Sequence, residues 1–477
     1  MDKAMILDFD LLKKYPKVDE ELIQKLLQEE INKNKDKIVV LDDDPTGIQT
    51  VHNVSVYTDW SYESIQRGFR EKNKIFYILT NSRSFSVQQT TQVHQEIGQR
   101  ISEIAKEEKK GCLMISRGDS TLRGHYPLET KILKDEIQKS TGQIVHGEIL
   151  CPFFKEGGRY TIDNIHYVQY NQELVPAGQT EFAKDKTFGY ESSDLPAYIE
   201  EKTQGEYLKE DVLTISLEEL RNIELDGITQ KLLSVNNFGK VVVNAIDSCD
   251  LKVFSIALYR AIAQGKLFLL RTAAGFVKEF SGITDRPLLT KSEMIVKDIH
   301  TGGIVVVGSH TAKTTSQLEA LRTIKEIELI EFNSDFVLEE ELLEEEIRRV
   351  VAKEEELLRQ GKTVVVYTKR KLLTLDHDTK EDALLRSVRI SHAVQSLVGR
   401  LTVTPSFIIA KGGITSSDIG TQALQVKKAH VLGQVKPGIP VWQTGEESKF
   451  PKIPYIIFPG NVGEESTLKE AVEILIG

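Results

Sequence analysis

Cysteine is nearly missing from the chain. Its three residues, Cys112, Cys151 and Cys249, are widely spaced and each sits among apolar residues of an expected strand or helix. That pattern excludes a disulfide framework and a zinc knuckle and reads as three buried thiols. Proline is scarce as well, at 13 residues; with 40% hydrophobic and 28% charged residues, the composition excludes a disordered chain. No uncharged apolar run reaches 18 residues, which excludes a membrane-crossing helix. The N-terminal stretch MDKAMILDFDLLKKYPKVDEE has no apolar core of a secretory signal, so a cytoplasmic location is expected. Positive charge is in deficit. A net charge of −10 leaves no broad basic surface, so neither nucleic acid nor membrane is an expected partner. A small anionic substrate stays open, because a few convergent arginines set the local potential of a cleft.

What is present is a repeated unit. The apolar run Ile38–Leu41 ends abruptly in Asp42-Asp43-Asp44-Pro45-Thr46-Gly47. IFYILT (75–80) leads likewise into NSRS, CLMIS (112–116) into RGDSTLRG, EILCPFF (148–154) into KEGGR, and VVVNA (241–245) into IDSCD. Helical patterns separate most of them. Short β-branched runs alternating with helices predict a parallel sheet covered on both faces, with the polar loops gathered on the edge where such sheets bind ligands. Residues 160–235, rich in Glu, Ser and Gln, fit this rhythm poorly and read as an excursion or lid. A second series starts at Gly302–Ser309 and runs through a charged helix, TVVVYT (363–368), FIIAKGG (407–413) and IPYIIFPGN (453–461). The length of 477 residues predicts two domains, 1–290 and 291–477.

In the second domain the turn Gly308-Ser309-His310-Thr311-Ala312-Lys313 joins a strand directly to a helix, and backbone N–H groups at such a start favour a phosphate. Ala312 stands where a Walker A loop has glycine, so that motif is absent. Lys411-Gly412-Gly413-Ile414-Thr415 and Pro459-Gly460-Asn461-Val462-Gly463 repeat the arrangement. Glycine allows close approach of backbone to a ligand, and three such strand-end turns suggest a nucleotide cleft. A capped structural turn is the alternative for each.

In the first domain Ser116-Arg117-Gly118-Asp119-Ser120-Thr121-Leu122-Arg123-Gly124 packs hydroxyls, a carboxylate and two guanidiniums into nine residues. Guanidinium forks suit a substrate carboxylate, and Asp with hydroxyls suits a polyol. Arg83 and Arg159 fall on the same expected edge. Among Asp42-Asp43-Asp44, one carboxylate could accept the proton of an attacking hydroxyl; the alternative is an Asp-rich capping turn. His166 is either a substrate-orienting or a structural residue. No G-x-G-x-x-G follows an expected strand, which argues against a nicotinamide-dependent dehydrogenase.

In order and spacing, DDPTG (43–47), TNSR (80–83), DSTLRG (119–124), CPFFKEGGRYTIDNIHYV (151–168), GSHTAKTTSQ (308–317), KGGITSSDIGTQAL (411–424), KPGIPVW (436–442) and PGNVG (459–463) resemble the four-carbon acid sugar kinase family, formerly known only as a domain of unknown function. The resemblance covers residues 37–475. It implies two α/β domains, each a mainly parallel sheet flanked by helices, with the active site in the cleft between them. It implies ATP-dependent phosphorylation of threonate, erythronate or 3-oxo-tetronate at the 4-hydroxyl, with Mg²⁺. ATP would meet Ser309, Gly412, Gly413, Ile414, Thr415 and Gly460. On the substrate side, Arg83, Asp119, Ser120, Arg123, Arg159 and His166 would bind the acid, and Asp43 or Asp44 would act as base or hydroxyl orienter. Metal ligands are not assigned, and a homodimer is left open. The chain departs from the family at Ser116-Arg117, where Lys-Lys is usual, at Ile414, where an acidic residue is usual, and at Val462, where GNFG is usual. Those departures keep a non-catalytic binding or sensing protein of the same fold as the alternative.

Overall fold

The computed structural model describes residues 4–296, 298–308, 310–371, 373, 375, 380–460 and 462–477, with backbone alone at 380–384. The chain divides into two compact units, residues 1–47 with 59–285, and residues 48–58 with 286–477.

Seven parallel strands form the main sheet of the first unit, in the order Leu213–Ile215, Gly239–Val243, Gly147–Cys151, Phe268–Thr272, Cys112–Arg117, Lys37–Asp42, Ile75–Leu79. Every residue of Lys37–Asp42, Ile75–Leu79, Gly147–Cys151 and Phe268–Thr272 is buried. Continuous β-branched and apolar runs are what a sheet covered on both faces requires. From Lys37–Asp42 the chain pairs next to one side, through Ile75–Leu79, and then to the other, through Cys112–Arg117. The order therefore reverses between Asp42 and Arg117, and open α/β sheets bind ligands at such a reversal.

Residues 160–235 are more than a lid. Arg159–Ile162, Ile165–Tyr170 and Glu173–Pro176 form an antiparallel meander, extended at its edge by Leu7–Asp8. After the helix Leu195–Lys202 the chain rejoins the main sheet as its edge strand Leu213–Ile215.

The sheet of the second unit runs Val54–Tyr57, Lys428–Lys436, Ile439–Thr444, Pro454–Phe458, Ile408–Lys411, Ile304–Val307, Thr363–Thr368, Ile327–Phe332. The last five strands are parallel and the pairings among the first four are antiparallel. Its core includes Val305, Val307, Val365, Ile409 and Ile456 packed with Leu318, Leu321, Leu468 and Val472. The order reverses between Ile304–Val307 and Ile408–Lys411, which places Gly308 and Gly412 at a second switch point. Lys436-Pro437-Gly438 is the turn of the antiparallel hairpin, with Gly438 at φ +76°. Residues 48–58, read with the first domain from the sequence, supply an edge strand to the second unit.

All three cysteines are free thiols; Cys151 and Cys249 are buried and Cys112 is partly exposed. Among the described residues no helix is long and apolar enough to cross a membrane.

Candidate functional site

The acidic triplet sits at the first switch point, where buried charges must be compensated. Arg117 Nη1 donates to Asp42 Oδ1 at 3.1 Å and to Asp43 Oδ1 at 3.5 Å. Arg83 grips Asp43 with two nitrogens, Nη2 to Oδ1 at 2.6 Å and Nε to Oδ2 at 3.3 Å, and reaches Asp44 Oδ2 at 3.3 Å. The loop is set by Thr80, whose N–H and hydroxyl both donate to the Asp42 carbonyl, and by Asn81 in the left-handed region at φ +55°.

The three carboxyls are not equivalent. Burial, only partly offset by Arg117, pushes Asp42 up to about 7. Burial also raises Asp43, against the pull of Arg83, Arg117 and Arg271. At Asp44 burial is outweighed by Arg83 and by hydrogen bonds from the Thr46 hydroxyl and N–H, at 2.6 and 2.8 Å, so this carboxyl lies below its usual range. Two neighbouring carboxyls driven in opposite directions are the arrangement acid–base sites use.

The loop after Cys112–Arg117 faces them. Arg123 Nε donates to Asp119 Oδ2 at 2.7 Å, and the Thr121 hydroxyl donates to the same oxygen. Arg83, Arg123 and these bonds overcome the burial of Asp119 and hold it far below the carboxylate range. Leu122, at φ +67°, turns the chain. Each carbonyl of the bend is then fixed from the segment that resisted reading: His166 Nε2 lies 2.7 Å from Ser120 O, Tyr190 donates to Thr121 O at 2.8 Å, and Tyr198 to Leu122 O at 2.9 Å.

His166 is therefore not on the open surface of the site. It is fully buried, its Nδ1 stands 3.0 Å from the Thr161 hydroxyl, and burial lowers it to about 4. A neutral ring donating from Nε2 to a carbonyl and accepting at Nδ1 satisfies both nitrogens. Its work is to hold Ser120 in place from behind. Arg159, in contrast, has a buried Nε with no hydrogen-bond partner among the described residues.

Sequence reading passed over Arg271, which looked like one residue of an ordinary strand. Its Nη1 donates to Ser116 Oγ at 2.8 Å and Glu129 Oε2 at 2.5 Å, and Ser82 Oγ donates to the other Glu129 oxygen at 2.6 Å. A Cβ at Gly118 would stand 2.4 Å from the Arg271 guanidinium carbon, and one at Gly124 2.9 Å from its Nη2. Two glycines of the loop thus close on one planar cation. Arg117, one of the two guanidiniums that the sequence offered to a substrate carboxylate, instead supplies a cation to the acidic loop.

At the second switch point the turns also converge. Gly412 has φ +120°, which only glycine adopts without strain, and a Cβ at Gly308 would stand 2.6 Å from the Thr415 hydroxyl. Among the described residues a Cβ at Gly413 or at Gly460 would meet nothing within 4 Å, so backbone there faces open space. Lys411 is fully buried and ties two turns together, donating to Pro459 O at 2.7 Å and Gly460 O at 3.2 Å. Burial, then the nearby Lys313 charge, lowers it to about 7. Thr311 caps the helix Ala312–Leu321 through the Thr314 N–H, and Gln317 of that helix donates to Val462 O and Glu464 O. Ile414 is 71% exposed. Open glycine backbone, a helix start and a cation fit a polyphosphate. Ser309 lies outside the described residues. Among those described, no group of three or more His, Cys, Asp or Glu could hold a metal ion.

Residues 38–280 match a sugar-binding N-terminal domain, and residues 304–468 match a nucleotide-binding C-terminal domain. A crystal structure of a Haemophilus influenzae protein of family DUF1537 is similar at 18% identity, over 92% of this chain and 100% of that one, with a TM-score of 0.61. A Salmonella typhimurium LT2 protein, provisionally named a tRNA synthase, is similar at 16% identity, over 92% and 99%, with a TM-score of 0.65. These likenesses show the fold. Among curated proteins none matches. By its two matched domains, which together span most of its length, the chain belongs to the four-carbon acid sugar kinase family, also designated DUF1537.

Proposed function

We propose that this protein is a cytoplasmic ATP-dependent kinase that phosphorylates the 4-hydroxyl of a four-carbon acid sugar: threonate, erythronate or a 3-oxo-tetronate. The observation that carries the reading is the pair Asp43 and Asp44 at the switch point of a sugar-binding domain, both held by Arg83 and one also by Arg117, with one carboxyl raised by burial and the other lowered. A carboxyl raised by burial is the better proton acceptor of the two, while its ionised neighbour orients the hydroxyl.

Asp43 then receives the hydroxyl proton at a carboxylate oxygen, and Arg83 and Arg117 fix that carboxylate in place. Asp119 and Ser120 face the hydroxyls of the acceptor, and Arg123 and Arg159 its carboxylate. On the nucleotide side Gly412, Gly413, Ile414, Thr415 and Gly460 would cradle the phosphates, with Ser309 in the same set and Lys411 behind them. Bound ATP supplies the γ-phosphoryl group, and Mg²⁺ neutralises its phosphates. Positioning and fixed charge provide most of the catalysis.

An ADP-release assay with ATP and Mg²⁺ against D- and L-threonate, D- and L-erythronate, the 3-oxo-tetronates and matched five-carbon acids tests this. Strong turnover with one four-carbon acid is expected. Silence across the panel in protein that binds ATP would replace the kinase by a sensing protein of the same fold.

A further inference from the structure

Five arginines gather at the strand ends of the first unit, and four face a carboxylate of the chain itself. Arg83 lies on Asp43 and Asp44, Arg117 on Asp42 and Asp43, Arg123 on Asp119, and Arg271 on Glu129. Arg159 is the exception: among the described residues no carboxylate stands within ion-pair distance of it, and its buried Nε has no acceptor. A buried donor without an acceptor costs about 1–3 kcal/mol, a penalty that a ligand able to supply the acceptor would remove.

The surroundings of Arg159 say which ligand. Its guanidinium carbon stands 5.4 Å from the centre of the Phe182 ring, and that of Arg123 stands 5.1 Å from the same ring. The charge of Arg123 is met by Asp119 at 2.7 Å and by Asp185 at 3.9 Å, whereas that of Arg159 beside the same ring has no carboxylate partner among the described residues. A ligand anion there would offset the repulsion between the two cations. The ring packs, partly buried, against the cluster that includes Tyr190 and Tyr198, and the segment carrying it is anchored on both sides. Tyr170 of the meander donates to Glu181 Oε2 at 2.7 Å, and on the other side Asp185 Oδ1 accepts the Thr187 and Phe188 N–H groups at 2.9 and 3.0 Å.

We propose that Phe182 determines acceptor specificity as a positioning residue: its ring holds Arg123 and Arg159 as a clamp for the acceptor's carboxylate, and Arg159 makes the ion pair. Arg83, which the sequence placed with the acid, lies on Asp43 and Asp44; Arg123 also lies on Asp119 but stands over the ring beside Arg159, so the Arg159 charge is the one left for the acid. The proposal rests on the acid-sugar reading and narrows it, because planar forks select a planar carboxylate over a neutral polyol of the same length.

Calorimetric titration of the full chain without nucleotide, with erythronate and threonate against erythritol, tests the clamp separately from the kinase reading. The wild type should prefer the acid by about thirtyfold or more, and Phe182→Leu should weaken acid binding by about tenfold. Phe182→Tyr keeps the ring and should restore the affinity; Arg159→Gln should erase the preference for acid over polyol, and Arg159→Lys should recover part of it. Equal melting temperatures identify folded variants, and if Phe182→Leu does not fold, Phe182→Tyr and Arg159→Gln decide. Acid preference surviving in Arg159→Gln, or Phe182→Leu binding like the wild type, overturns the clamp. So does a wild type that fails to prefer acid. A wild type that prefers acid yet releases no ADP upholds the clamp and rejects the kinase.

Discussion

Gly47 closes over the carboxylate of Asp42: a Cβ at position 47 would stand 2.0 Å from Oδ2 and 2.2 Å from Oδ1. Asp42 has no room to retreat, since Arg117 holds its Oδ1 and its strand is paired on both sides. Gly47→Ala must therefore push the loop outward, and overpacking of this kind costs about 1–3 kcal/mol. Asp43 and Asp44 lie between the two residues and would move with it. We expect a melting temperature lower by about 2–6 °C, by the scaling for large domains, in scanning calorimetry. Phosphoryl transfer should fall about tenfold or more, since small displacements of reacting groups are amplified in rate. A variant with wild-type melting and rate would show slack in the loop.

Both polar edges were legible in the sequence because each is announced locally, by an apolar run ending in Asp42-Asp43-Asp44 or in Gly412-Gly413. What escaped depends on partners distant in sequence. Val54–Tyr57 pairs with Lys428–Val431, and nothing within residues 48–58 says that they belong to the second unit. Leu213–Ile215 is a strand only because Val241–Val243 lies beside it. Arg271 reads as part of a strand until Glu129, Ser116 and the two glycines are brought to it. His166 reads from sequence as either ligand or support, and its complete burial and its bond to the Ser120 carbonyl depend on partners that the local pattern does not show.

Lys411 makes nucleotide binding pH-dependent under the proposed function. Its folded value of about 7 lies below the ordinary 10.5, so the amine loses its charge as pH rises through neutrality. The charged form attracts a polyphosphate and the neutral form does not. ATP affinity should weaken several-fold between about pH 6 and 8, and Lys411→Met should bind weakly and flatten that profile, as titration calorimetry will read. The stability term has its own sign. From about 7 up to 10.5 the unfolded chain holds a proton that the folded one has released, so this residue's contribution to stability rises with pH across that window.

Glu354 has no place in the proposed chemistry and a clear one in stability. It is fully buried in the helix Glu340–Arg359, both carboxyl oxygens lack hydrogen-bond partners among the described residues, and burial raises it well above 4.5. From 4.5 upward the folded chain keeps a proton that the unfolded chain has lost, so stability falls as pH rises toward the folded value. Glu354→Met keeps the volume and removes the titration. The variant should melt above the wild type by a margin that widens as pH rises from 4.5 toward the folded value. A margin independent of pH would mean that the carboxyl reaches water.

The Arg271–Glu129 pair separates stability from positioning. Both side chains are buried, and removing one partner of such a pair costs about 3–5 kcal/mol, because the remaining charge is left uncompensated. Glu129→Gln should therefore lower the melting temperature sharply at neutral pH. Burial would raise Glu129, but Arg271, then His94 and the Ser82 hydroxyl, bring it down to about 2. The pair's stabilisation is thus fully present above 4.5 and lost as pH falls through about 2, so the gap between variant and wild type should close in acid. Replacing both partners, as Arg271→Met with Glu129→Leu, removes the buried charges and should recover most of the stability. It does not restore the planar cation on which Gly118 and Gly124 close. The double variant should consequently melt near the wild type and still bind the acid acceptor poorly, with KM for the acid raised and KM for ATP unchanged. Recovery of acid affinity along with stability would reduce Arg271 to a structural residue.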